Sequence, residues 1–437
     1  MAGCVSRIIG RPPIRGALGS AAKGLGASVS RALSSSGGPE FTSEPYIADP
    51  SGRVPLPAFR VLDERGALIE GASGYGLPRQ LAVRMYETMV RLQTMDTLFY
   101  EAQRQGRFSF YMTCFGEEAT VVGSAAALES VSESDGSATT LDHVFAQYRE
   151  HGVLLWRGMT YGEFADQLYG NEADLGKGRQ MPIHYGRSDL NFQTISSPLA
   201  TQLPQAAGAA YANKLAGFAG ATVAYFGEGA ASEGDFHAAM NFAVTLKCPL
   251  IMFCRNNGWA ISTPAHEQYG GDGIAGRGPA YGMPALRVDG GDLLATYHAT
   301  RIAREHVLAH QSPFLIEAMS YRTGHHSTSD DSTRYRTVDE MTEWKARDPV
   351  ARFQLWLEGE GWWTSEEEAK LRGEARREVM KVIDVAERKR KHGLRTLVTD
   401  VYDDVPEGLE RQYAEVLRWA KGAGRREIAS DIPIDMK

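Results

Sequence analysis

Two short apolar runs in this chain end in residues able to hold a metal ion. Ala221 to Phe226 (ATVAYF) leads into Gly227-Glu228-Gly229-Ala230-Ala231, and Pro249 to Cys254 (PLIMFC) leads into Arg255-Asn256-Asn257-Gly258-Trp259. The segment between them, EGDFHAAMNFAVTLK, has the periodicity of a helix. A right-handed strand-helix-strand unit brings both strand ends to one edge of a parallel sheet, so Glu228 and Asn257, 29 residues apart, can meet over one crevice. A carboxylate and an amide oxygen are hard ligands that suit magnesium, with phosphate oxygens, water and a backbone carbonyl completing the octahedron. The Trp259 carbonyl is placed to serve. Glycines on both sides of Glu228 let backbone N–H groups approach a diphosphate, the helix N-terminus that follows adds positive dipole, and Arg255 can pair with the phosphates. The alternative is a dinucleotide-binding turn or a plain tight turn. Gly234 is wrongly spaced for the nicotinamide fingerprint, and the paired asparagines favour a metal-diphosphate site.

The elements that must position these groups read as an α/β domain, a parallel sheet flanked by helices with helical N- and C-terminal extensions. Apolar residues recur every three or four positions from Gly71 to about Gly106, with Pro78 in the first turn and Gly106 at the end. Residues 40–75 are expected to form an extended arm that wraps a neighbour, residues 76–350 the sheet domain, and residues 351–437 a helical extension. A second strand-helix-strand unit runs through Leu286 to Val288, LLATYHATRIAREHVLAH, and Phe314 to Ser320. The polar segment 129–142 reads as a surface insert. Thr364 followed by Glu367 signals the start of a charged helix reaching about Lys391. There is no internal repeat.

Composition narrows the class. The 437 residues are 43% hydrophobic and 23% charged, which excludes a disordered tail protein, and four cysteines exclude a disulfide scaffold. Cys248 and Cys254 lack neighbours at zinc spacing and read as strand filler. No run approaches the roughly 18 apolar residues of a membrane span. Residues 1–39 carry Arg7, Arg11, Arg15, Lys23 and Arg31 and no acid, which reads as a mitochondrial transit peptide, with plastid import the alternative. Removing those five charges leaves 42 basic against 54 acidic residues, a surface that repels nucleic acid.

Glycine-acid-glycine followed about thirty residues later by Asn-Asn is the signature of thiamine-diphosphate enzymes. With YFGEGAASEGD, FCRNNGWAIST, ISSPLATQLPQAAGAAYA, DLGKGRQMP and GHHSTSDDSTRYR, the chain from about Phe41 onward resembles the alpha subunits of branched-chain 2-oxo acid dehydrogenases. Glu rather than Asp in the signature, His325-His326-Ser327 and Gly361 to Trp363 favour that family over the pyruvate-using relative, which is the runner-up. A noncatalytic regulatory subunit of the same fold is the alternative of another class.

The resemblance implies thiamine diphosphate, Mg2+ and K+ as cofactors. Tyr148, Arg149, Ser197, Leu199, Gly229, Ala230, Arg255 and His326 would contact the cofactor. Glu228, Asn257 and Trp259 would hold magnesium, and Ser196, the Pro198 carbonyl, Thr201 and Gln202 potassium. On residues alone, SSPLATQ reads first as a capped turn opening a helix. The implied reaction is oxidative decarboxylation of branched-chain 2-oxo acids with acyl transfer to a lipoyl-bearing acyltransferase, in the mitochondrial matrix. His326 is the expected proton donor, on the ground that histidine titrates near neutral pH. No carboxylate of this chain stands out as cofactor activator, so the family's beta subunit supplies it in an alpha2-beta2 heterotetramer. Residues 322–337 read as a mobile loop anchored by Arg322 and Tyr335. Ser327 matches the family's inhibitory phosphorylation site and Thr337 a second one where the family has serine, implying a kinase and a phosphatase. The family usually has Tyr where Trp259 stands.

Overall fold

A computed structural model describes residues 54–128 and 142–434, with residues 42–45 and 47. The expected transit segment and nearly all of the insert lie outside the described residues. The chain divides into two units, Met1–Val54 and Pro55–Lys437. In the first, the Thr42 hydroxyl donates to the Glu44 carbonyl at 2.5 Å. The sheet, its helices and the candidate site all belong to the second.

Among its described residues nine strands form: β1 (Ala58–Phe59), β2 (His143–Phe145), β3 (Phe192–Gln193), β4 (Thr222–Gly227), β5 (Leu250–Asn256), β6 (Trp259–Ala260), β7 (Thr263–Pro264), β8 (Ala285–Asp289) and β9 (Phe314–Met319). Seven make one all-parallel sheet in the order β1-β8-β9-β5-β4-β2-β3, and β6 and β7 form a separate antiparallel pair. The helices that matter for the site are α1 (Arg79–Arg104), α2 (Glu118–Ala127), α3 (His151–Trp156), α4 (Gln202–Leu215), α5 (Gly234–Thr245), α6 (Leu293–His310), α7 (Val338–Lys345) and α8 (Ser365–Arg388).

The central strands are continuous apolar runs because both faces of the sheet are covered. Val223 and Tyr225 of β4, with Ile251 and Phe253 of β5, enter the larger core. Their neighbours Ala224, Phe226, Met252 and Cys254 face the other way, into a second core with Phe236, Ala239, Met240 and Ala243 of α5. Period-two alternation in the strands meets a three-and-four spacing in the helix, which fixes which side chains are left at the strand ends. Cys248 and Cys254 are buried and free, as strand filler should be.

Residues 55–75 are used within the chain. β1 pairs with β8, and Asp292, the N-cap of α6, accepts the backbone N–H groups of Val61 and Leu62 at 2.7 and 2.6 Å. From Pro55 onward the expected arm thus closes the sheet edge. Thr364 caps α8 by accepting the Glu367 N–H, and α8 ends at Arg388, slightly before the expected Lys391. Its buried residues Leu371, Val379, Ile383 and Ala386 pack into the main core beside α1, so this part of the C-terminal extension belongs to the same body. Among the described residues no helix is long and apolar enough to cross a membrane.

Candidate active site

β4 and β5 pair in register, Gly227 opposite Arg255, so the chain leaves the sheet at Glu228 and Asn257 on adjacent strands. The predicted meeting of these two residues occurs. Glu228 is 1% exposed, and its Oε1 is buried with no hydrogen-bond partner among the described residues. Burial pushes its carboxyl up to about 7; the Glu117 charge adds to this, while the Asn257 backbone amide and Arg255 oppose it. Such an orphaned acid oxygen is the mark of a place where a cation fits.

Gly258, at φ +81°, turns the chain from Asn257 into β6. The Asn257 Oδ1 accepts the Trp259 N–H at 3.2 Å, and the Trp259 indole donates to Glu340 at 3.1 Å. Gly229 is required for a reason the sequence did not reveal: a Cβ there would lie 2.7 Å from the Ala260 Cβ. Its small size lets the acidic turn and β6 pack together.

Arg149, His326 and Arg322 converge next to this turn. Arg149 Nη1 donates to the Thr113 carbonyl at 2.6 Å and Nη2 to the His326 carbonyl at 2.9 Å, while Arg322 Nη1 lies 3.0 Å from His326 Nδ1. The Tyr148 ring stands edge-on to His326 at 6.0 Å. Two guanidinium donors around Nδ1 make it the acceptor nitrogen and put the imidazole proton on Nε2. Burial, then Arg149 and Arg322, push the His326 pKa down to about 2. This corrects the expectation that His326 titrates near neutral pH: here it is a neutral imidazole with a fixed donor face.

Arg255 is held differently from the expectation. Its Nε bonds Glu150 and its Nη1 bonds Glu117, each at 2.5 Å, which leaves Nη2 for a ligand. Glu117 and Glu150 were missed by sequence reasoning. A signal existed, since adjacent acids at the start of the small-residue helix GEEATVVGSAAA, and one directly after Tyr148-Arg149, have no place in a core without cations to meet. Gln147 was also missed; its Oε1 accepts the Gly227 N–H at 2.7 Å and so holds the acidic turn from the β2 side.

The loop before α4 gathers oxygens. Thr201 Oγ1 lies 3.1 Å from Ser196 Oγ and 3.0 Å from the Pro198 carbonyl. Gln202 donates to the Tyr225 carbonyl of β4 at 2.9 Å, while its buried Oε1 has no partner among the described residues. Ala200 is buried at φ +64°, a conformation that costs a residue bearing a Cβ about 1–2 kcal/mol. Thr201 has no side-chain capping bond, so the capped-turn alternative does not hold. Ser197 bonds His184 at 2.6 Å, and Leu199 is 42% exposed. No hydrogen bond joins either of them to Tyr148, Arg149 or His326 among the described residues.

A family model for the dehydrogenase E1 component matches residues 86–395. The chain belongs to the dehydrogenase E1 component family. Members of this family use thiamine diphosphate. The chain is 53% identical over 373 residues to 2-oxoisovalerate dehydrogenase subunit alpha 1, mitochondrial, of Arabidopsis thaliana, covering 85% of this chain and 77% of that protein. It is 52% identical over 380 residues to 2-oxoisovalerate dehydrogenase subunit alpha, mitochondrial, of Homo sapiens, covering 87% and 83%. The Caenorhabditis elegans subunit alpha gives 52% over 384 residues, 86% and 85%.

In this E1 component the loop 322–337 carries a hydrogen-bond network that extends beyond the expected anchors Arg322 and Tyr335. Asp330 accepts the His326 N–H at 2.7 Å and the Tyr335 hydroxyl at 2.6 Å; Arg322 reaches Tyr335 at 3.1 Å, as anticipated. Arg336 donates to the Arg322 and Gly324 carbonyls. Ser327 is 7% exposed, whereas Thr337 is exposed and caps α7. The E1 site is also crowded with positive charge. Burial, then Arg149, pull the Arg322 pKa down, and the buried Nε atoms of Arg322 and Arg336 have no hydrogen-bond partner among the described residues. An anion bound there would relieve that crowding.

Proposed function

We propose that this E1 component is the alpha subunit of a branched-chain 2-oxo acid dehydrogenase acting in branched-chain amino acid catabolism. The observation that carries the proposal is the orphaned Glu228 Oε1, on a carboxylate held by the Asn257 backbone amide and in the field of Arg255, in a chain about half identical to proteins named 2-oxoisovalerate dehydrogenase subunit alpha. When bound, thiamine diphosphate supplies the carbanion chemistry that releases carbon dioxide from a 2-oxo acid and leaves an acyl group for a lipoyl acceptor. Glu228, the Asn257 Oδ1 and the Trp259 carbonyl would hold Mg2+, and Arg149 with Nη2 of Arg255 would meet the diphosphate. Tyr148, Ser197, Leu199, Gly229 and Ala230 would line the cofactor. Ser196, Pro198, Thr201 and the orphaned Gln202 Oε1 would hold K+, tying the cofactor loop to β4. His326 presents its Nε2 proton as a donor toward the reacting group during acyl transfer.

The beta subunit, in an alpha2-beta2 assembly, completes the pocket and supplies the activating carboxylate; the lipoyl-bearing acyltransferase takes the acyl group. The relatives are named mitochondrial, and the matrix is the proposed location. The assembly made with the beta subunit should turn over 3-methyl-2-oxobutanoate in preference to pyruvate. The reverse preference rejects the substrate assignment in favour of the pyruvate enzyme.

Two predictions follow from the site's charges. A raised carboxyl must lose its proton before it takes a cation, so Mg2+ affinity should climb as pH rises to about 7, then level off, with protons released on binding below that. Calorimetry in two buffers of different ionisation enthalpy reads the protons; a pH-independent affinity contradicts the assignment. Ser327, and with it Thr337, would be the target of a regulatory kinase and phosphatase. Because Ser327 is buried beside Asp330, a negative group there must either open the loop or draw arginines from the diphosphate. Ser327→Glu should weaken thiamine diphosphate binding by about tenfold or more and expose the loop to protease, whereas Ser327→Ala should do neither. Unchanged binding in the glutamate variant removes the regulatory role.

A further inference from the structure

Glu117 is the N-cap residue of α2, yet its side chain makes no capping bond to that helix. Its carboxylate reaches away into the site instead. Oε1 accepts the Asn257 Nδ2 at 2.6 Å; Oε2 accepts Arg255 Nη1 at 2.5 Å and lies 3.9 Å from Arg149 Nε. Among the described residues it is the one group that bonds the Asn257 side-chain amide and also touches Arg255 and Arg149. The backbone is shaped to deliver it. Gly116 takes φ +86°, and a Cβ there would lie 2.1 Å from the Tyr321 carbonyl, so only glycine permits the turn that carries Glu117 inward.

The placement has a chemical consequence. An asparagine amide has two ends of similar shape and opposite polarity, and only the oxygen end can ligate a cation. With Nδ2 held by a carboxylate, Oδ1 is compelled to the other side, where it already meets the Trp259 N–H. The same carboxylate holds Nη1 of Arg255 while Glu150 holds Nε, which leaves Nη2 for an anion. Both oxygens of Glu117 are thus engaged as acceptors.

We infer that Glu117 is a positioning residue that orients the Asn257 amide oxygen toward the divalent cation and Arg255 toward the diphosphate, so that metal and cofactor affinity depend on an acid that touches neither. The inference rests on the proposed metal-diphosphate site and deepens it. It is tested in the full chain assembled with its beta subunit, using Mn2+ titrated in the presence of thiamine diphosphate, with free Mn2+ read by electron paramagnetic resonance. Glu117→Gln should weaken Mn2+ binding by about 10- to 100-fold, the usual effect of removing a partner that orients a metal ligand. Glu117→Gln combined with Asn257→Ala should bind Mn2+ within about twofold of Asn257→Ala alone, because the acid acts through the amide. If Asn257→Ala weakens binding while Glu117→Gln does not, or if the two effects multiply, the positioning role is wrong and the metal site stands. If Asn257→Ala leaves Mn2+ binding intact, the metal site itself fails and this inference falls with it. Should Glu117→Gln not assemble, Glu117→Asp keeps the charge but withdraws the acceptor by one methylene. It should show the same loss with an unchanged thermal midpoint; parental affinity in that variant overturns the inference.

Discussion

Glu228→Ala is expected to abolish magnesium-dependent retention of thiamine diphosphate. Removing one partner of a buried, paired charge costs about 3–5 kcal/mol, which is roughly 10²- to 10⁴-fold in affinity. In the absence of ligands the sign reverses. The Glu228 carboxyl is raised to about 7, so the stability it contributes is present at low pH and lost as pH rises through that value, where an unpaired charge must be buried. The alanine variant should therefore melt above the parent at pH 8 without metal and below it when metal and cofactor are added. Thermal unfolding with and without Mg2+ and cofactor reads both signs. Unchanged cofactor retention in Glu228→Ala would return the noncatalytic subunit to consideration.

His326→Ala is expected to lower overall turnover by about 10²- to 10⁴-fold, the range of a positioned proton donor, while cofactor binding falls far less. The imidazole is neutral at any working pH because burial and two arginines hold it so, and its Nε2 proton is a fixed feature of the site. Loss should fall on acyl transfer to the lipoyl acceptor rather than on carbon dioxide release, which pre-steady-state assays with an artificial electron acceptor separate. Equal loss in both steps would mean that the histidine holds Arg149 and Arg322 in place and nothing more.

Much of this site was legible in the sequence because it hangs on one strand-helix-strand unit. ATVAYF and PLIMFC have only one way to lie in a doubly covered sheet, and their in-register pairing places Glu228 and Asn257 without further information. The helix from Arg79 to Arg104, bounded by Pro78 and Gly106, was equally visible, as was the Thr364 cap. What escaped depends on contacts between distant segments. β1, β2 and β3 are two or three residues long, too short to show a period. The loop 322–337 looks loose because it is polar, yet Asp330 and Arg336 tie it into a network that no local pattern displays. Glu117 and Glu150 gain meaning only when Arg255, more than a hundred residues on, arrives between them. Asp96 is a similar case. It accepts from Tyr111, lies 2.8 Å from His151 and is buried beneath Cys114, whose thiol meets the Arg149 carbonyl at 2.9 Å, so a polar knot in the core steadies a residue of the site.

The most direct test is to locate the metal. Mn2+ diffused into crystals of the alpha-beta assembly with thiamine diphosphate, and found by its anomalous scattering, should lie bonded to a Glu228 carboxylate oxygen and the Asn257 Oδ1, with the diphosphate on the side of Arg149. A metal bound elsewhere, or a diphosphate held with Glu228 still unpartnered, would contradict the account at its centre.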